Sequence, residues 1–79
     1  MEHEDIFEAL RGRVLEILDV DPALVTPDAR LAETLEADSV DLIEIGGYLE
    51  RTFDVELAER EIYDLETVAD FVELVARKR

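Results

Sequence analysis

The sequence predicts an all-α fold of three main helices and one short one, joined by one long loop. Three observations predict it. Apolar residues recur with a period of about 3.6 in three stretches, while few β-branched or aromatic runs alternate with period two. Capping residues followed by acids or a proline stand where those stretches begin. Apolar residues make up 48% of the chain, which with this periodicity argues against an acidic disordered segment.

The first helix is expected from about Asp5 to Leu18. Phe7, Leu10, Val14 and Ile17 form its stripe, widened by Ile6, Leu15 and Leu18. Asp5 is the expected cap, with Glu8 three residues on. Gly12 interrupts it, at about 1 kcal/mol relative to alanine. Asp19 to Asp38 reads as a long connection. Asp21-Pro22 predicts a single turn over Pro22 to Val25, and Pro27 pushes Thr26 out of the helical region. Val20, Leu24, Val25, Leu31 and Leu35 are the expected anchors of this loop, since a long loop in a compact domain needs them.

The second helix is expected from about Ser39 to Phe53. Leu42, Ile45, Leu49 and Phe53 make its core stripe. Val40, Ile43 and Gly47 make a second stripe, flanked by Asp41, Glu44 and Glu50. That second stripe is surplus to one core and marks a partner face. Glu59 to Asp64 is long enough only for a short helix. Thr67-Val68-Ala69-Asp70 then opens the last helix, which runs to about Arg77 with Val68, Phe71, Val72 and Val75 inward. Arg77, Lys78 and Arg79 suit the negative end of its dipole.

Seventy-nine residues predict one domain over 1–79, in which only about 60% of the unfolded surface is buried. Cysteine is absent and His3 is the only histidine, so disulfides, thiolate sites and structural zinc are not expected. No apolar run reaches the roughly 18 residues of a membrane span, and no signal-peptide pattern follows Met1. The chain reads as cytoplasmic. Eight basic against 22 acidic residues give a net charge of −14. Such a surface repels phosphate backbones, so nucleic acid is excluded as a partner, and it attracts basic patches.

Catalysis is hard to build from these residues. Ser39 is the only serine and has no histidine or lysine near it in sequence. The acids match no calcium loop, and no metal site is expected. Gly46-Gly47 opens no helix and so is not a phosphate loop. Asp38-Ser39 at a helix start has two readings. It is an ordinary N-cap, stabilising by about 1 kcal/mol, or an attachment point whose phosphodiester would lie at the helix N-terminus.

Leu35-Glu36-Ala37-Asp38-Ser39-Val40-Asp41 resembles the phosphopantetheine attachment motif of acyl carrier proteins, Leu-Gly-Ala/Gly-Asp-Ser-Leu-Asp. The similarity continues through Leu31 and Leu35, Leu49-Glu50, Phe53, the Val55 to Leu57 link and Thr67-Val68. It covers essentially the whole chain. The resemblance implies a four-helix bundle and a non-catalytic carrier. Ser39 would bear 4′-phosphopantetheine delivered from coenzyme A by a phosphopantetheinyl transferase, with Asp38 as part of the motif. Val40, Asp41, Ile43, Glu44, Gly47 and Glu50 would meet partners with basic patches, among them an acyl transferase or ligase and a ketosynthase. Ile45, Gly46, Leu57 and Ile62 would line any acyl pocket. The implied carrier is monomeric and serves type II fatty acid or polyketide-type biosynthesis. An aminoacyl or peptidyl carrier, and an unmodified acidic helical adaptor, are the alternatives.

Five residues depart from the family pattern. Glu36 stands where glycine is usual, which implies a loop backbone with no need of a glycine-only conformation. Val40 replaces leucine and offers a partner less apolar area. Gly46-Gly47 sits mid-helix, where absent side chains could admit a bulky acyl chain or a close helix. Arg51 interrupts the acidic face.

Overall fold

The computed structural model describes residues 2–79. Four helices carry the fold: α1 Glu2–Ile17, α2 Ser39–Phe53, α3 Glu59–Tyr63 and α4 Val68–Lys78. No strand occurs among the described residues, and no helix is long and apolar enough to cross a membrane.

α1 starts earlier than its sequence signal. Glu2, Glu4 and Asp5 all lie in the first turn, so Asp5 is not the cap. Three acids there favour the positive end of the dipole and let the helix extend upstream. The core stripe is also rotated from expectation. Ile6, Leu10 and Val14 are fully buried, while Phe7 and Ile17 pack at the edge. Spacing of four and four aligns the first three on one line, and each contributes about 1.5–3 kcal/mol by burial.

α4 packs against α1 and supplies Val68, Phe71, Val72, Leu74 and Val75 to the core. Thr67 caps it: Asp70 N donates to Thr67 Oγ1 at 3.1 Å, and Thr67 N donates to Asp70 Oδ2 at 3.2 Å. Leu74 was missing from the expected stripe because it lies beside Phe71, on the side facing α3. α2 packs on α1, α3 and α4 through Leu42, Ile45 and Leu49, with Phe53 only half-buried. Arg79 lies 5.3 Å above the Phe53 ring, a cation–π contact on a side chain that the core does not fully enclose.

The long connection is anchored mainly where expected. Asp21 Oδ1 accepts from Ala23 N at 2.9 Å and starts a 3₁₀ turn over Pro22–Leu24. Val25, Leu31 and Leu35 are buried. Leu24, expected as an anchor, is 45% exposed, and Val20 is half-buried. A three-residue turn directs only the following side chain, Val25, to the core. Beyond it the loop is bound to the start of α4. Leu31 N donates to Glu66 O at 2.9 Å, Val68 N to Ala29 O at 3.0 Å, and Ala69 N to Pro27 O at 2.9 Å.

The basic C-terminal residues do more than complement a dipole. Lys78 Nζ reaches Glu61 Oε2 at 3.0 Å, and Arg79 Nε reaches Glu2 Oε1 at 3.4 Å. Glu61 Oε1 also accepts Ala58 N at 3.0 Å and so starts α3. That backbone bond first, and Lys78 second, hold the Glu61 carboxyl below its ordinary range.

Gly12 is exposed in mid-α1, and a Cβ there would meet nothing within 4 Å. Gly12→Ala should therefore stabilise the fold by about 1 kcal/mol, raising Tm by about 4–8 °C in a thermal melt. An unchanged or lower Tm would show that Gly12 has a role its surroundings do not reveal.

Candidate functional site

The chain approaches Ser39 through a tightly held loop. Thr34 N and Leu35 N both donate to Arg30 O, at 2.9 and 3.1 Å, and Ala37 N donates to Leu31 O at 2.9 Å. Leu35 and Ala37 are buried, and Glu36 between them is exposed. Glu36 has φ 56°, in the left-handed region. The expectation drawn from its side chain therefore fails: this position does take the conformation that favours glycine. Two buried neighbours and the Ala37 bond force the turn there, at about 1–2 kcal/mol for a residue with a Cβ.

Asp38, not Ser39, caps α2. Asp41 N donates to Asp38 Oδ1 at 2.9 Å, and Asp38 N donates to Asp41 Oδ2 at 3.2 Å. Each aspartate satisfies the other's backbone, which is a capping box built from two acids. Ser39 is the first helical residue, exposed, and its hydroxyl makes no hydrogen bond among the described residues. The cap is thus complete without the serine. Its Oγ stands free at the positive end of a fifteen-residue helix, where an attached phosphate would be favoured.

α2 then presents the second stripe. Val40 is 66% exposed, Glu44 is exposed, and Ile43 and Gly47 are partly covered. Asp41 is half-buried with one oxygen in the cap. Glu50 differs from the others. Its Oε2 accepts from Leu57 N at 2.8 Å and so holds the link from α2 to α3. No local spacing signals this bond, because its partners lie seven residues apart across a helix end. Arg13 lies 5.4 Å above the Tyr48 ring and joins α1 to α2, another contact without a sequence signal.

Ile45, Gly46, Leu57 and Ile62 are all buried. A Cβ on Gly46 would stand 2.7 Å from Ile62 Cδ1 and 3.8 Å from Phe71 Cζ. The space left by the missing side chain is filled by Ile62. Gly46 thereby lets α3 approach α2 closely, which is a packing reason for a glycine that costs helix stability.

Residues 8–75 match the family described as the phosphopantetheine attachment site. The chain is 35% identical over 79 residues to the acyl carrier protein of Borreliella burgdorferi (strain ZS7), spanning 100% of this chain and 99% of that one. It is 38% identical over 78 residues to that of Thermosynechococcus vestitus, spanning 99% and 96%. It is 40% identical over 68 residues to that of Helicobacter hepaticus, spanning 86% and 90%. A helical bundle with an exposed serine at a capped helix start is therefore a phosphopantetheine-bearing carrier rather than an enzyme. The chain belongs to the acyl carrier protein family.

Two predictions test the local geometry. Glu36→Gly should stabilise the fold by about 1 kcal/mol, the left-handed penalty less the entropy of glycine; a denaturant midpoint that stays put or falls would contradict it. Glu50→Ala should cost about 1–3 kcal/mol and speed amide exchange at Leu57, because a part-buried N–H loses its acceptor. Glu50→Gln, which keeps an acceptor, should recover most of both.

Proposed function

We propose that Ser39 is the attachment residue, and that one carrier domain across residues 1–79 presents acyl intermediates as thioesters in type II fatty acid or polyketide-type biosynthesis. The observation that carries this reading is the free Ser39 hydroxyl, exposed at the first position of α2 beside a cap that does not use it. The surroundings fit the group. A phosphodiester on Oγ would lie near the unpaired N–H groups of the first turn, and nothing among the described residues covers the serine. Bound 4′-phosphopantetheine supplies the thiol that a chain without cysteine lacks. Asp38 and Asp41 hold the helix start in place while a phosphopantetheinyl transferase, with its own Mg2+, acts on the hydroxyl.

The partner face in this reading is Val40, Asp41, Ile43 and Glu44, with Gly47 beyond them. Val40 and Ile43 offer apolar side chains to a small apolar socket on the partner, and the acids draw the basic patches of transferases, ketosynthases and acyl-loading enzymes. Glu50 belongs to this face only at its margin, since its carboxylate is engaged with Leu57 N. The acyl chain would be received at the α2–α3 seam, where Ile62 must leave the space above Gly46. The departures at Val40, Gly46-Gly47 and Arg51 favour a specialised pathway over a housekeeping one.

Incubation with coenzyme A, Mg2+ and a broad-specificity phosphopantetheinyl transferase should add one phosphopantetheinyl group, read by intact mass. Ser39→Ala should add none. No gain on the wild type, or an equal gain on Ser39→Ala, would leave the protein an unmodified acidic adaptor. Glu44→Lys should slow association with that transferase and flatten its salt dependence, because an exposed rim charge acts on the encounter rate. Unchanged association at low salt would remove Glu44 from the docking face.

A further inference from the structure

The outer stripe of α2 has an order of its own. Val40, Glu44, Gly47 and Arg51 are spaced four, three and four, so they lie on one line, about 16 Å long at 1.5 Å per residue. Along it an apolar side chain is followed by an anion, an open backbone and a cation. Arg51 is exposed and forms no salt bridge among the described residues, although Glu50 and Asp54 are close in sequence. Its guanidinium instead lies back along the helix. Arg51 Nη1 is 3.5 Å from where a Cβ on Gly47 would stand. The glycine and the arginine therefore form one feature: the missing side chain leaves the ground on which the cation rests.

We infer that Arg51, seated over Gly47, is a specificity determinant of the docking face, selecting partners that set a carboxylate against it at the far end of their basic patch. The inference rests on the carrier reading above and adds to it the sign of one partner group. A partner face that is basic throughout would attract Glu44 and Asp41 and then place like charge against Arg51. Like charges at a docking contact act against association, and such repulsion is how related interfaces exclude wrong partners. A face that turns acidic at that end would meet complementary charge along the whole stripe.

Rates of loading test this, with a broad-specificity phosphopantetheinyl transferase of lysine-rich docking face as the probe. On that enzyme Arg51→Glu should raise kcat/KM by about threefold or more, with Arg51→Gln between it and the wild type. Arg77→Glu makes the same charge change at the end of α4 and should have a smaller effect. Single Lys→Glu reversals across the transferase face should include at least one that inverts the order, so that the wild type loads faster than Arg51→Glu. Gly47→Leu should narrow that inversion by filling the resting place of the guanidinium. Equal effects of Arg51→Glu and Arg77→Glu, or no reversal that inverts the order, would overturn the inference while Ser39 still loads. Absence of loading on every variant would remove the carrier reading and this inference with it.

Discussion

Three backbone hydrogen bonds between the long loop and the start of α4 hold the functional end of the molecule together. Leu31 N to Glu66 O, Val68 N to Ala29 O and Ala69 N to Pro27 O join residues 35, 39 and 42 positions apart in sequence. They convert a connection with little regular structure into a rigid approach to α2. Leu31 and Leu35 enter the core from this loop, and Ala37 follows them. Once those three are placed, Asp38 has one position available, and Ser39 follows as the first helical residue. Loosening the loop would leave the serine on a frayed helix end. The amides that an attached phosphate needs would then be disordered with it.

The same constraint explains the strain at Glu36. Burial of Leu35 and Ala37 on either side demands a sharp turn, and the backbone turns through the left-handed region. A glycine would do this more cheaply. Asp54 ends α2 in the same conformation, but aspartate tolerates it better than glutamate does. The chain thus holds one residue in an unfavourable state two positions before the cap. Core burial of several kcal/mol per pair of large side chains outweighs that local penalty.

Charge is divided between inward and outward duties. Asp38, Asp41, Asp70, Glu50 and Glu61 all accept backbone N–H groups, and so fix helix starts and links. Glu44 and the other exposed acids are left to form the electrostatic surface. The basic residues divide in the same way. Lys78 and Arg79 brace the C-terminal end against α3 and α1, and Arg13 stacks on Tyr48. Arg51 remains on the stripe that begins at Val40, a cation with no salt bridge among the described residues. An acidic carrier with such a stripe has an address that is more than the sum of its charge.

Periodicity and capping chemistry by themselves determined the helix count, the Ser39 and Phe53 bounds of α2, the Thr67 start of α4 and the exposure of Val40. These are local: a 3.6-residue repeat and a side chain three residues from an open amide need no distant partner. The Asp38-Ser39 junction was legible for the same reason, though not which residue caps, since both types cap well and only the observed bonds choose. Tertiary structure alone decided the rest. It chose Ile6 over Phe7 for the α1 core line, left Leu24 outside and brought Leu74 in, because several faces of a helix are apolar and only the neighbours select one. It gave Gly46 to Ile62, Glu50 to Leu57 N, and Gly47 to the guanidinium of Arg51. Those pairings depend on how α3 and the helix ends settle against α2. No spacing rule encodes that, because the groups meet only after the core has closed.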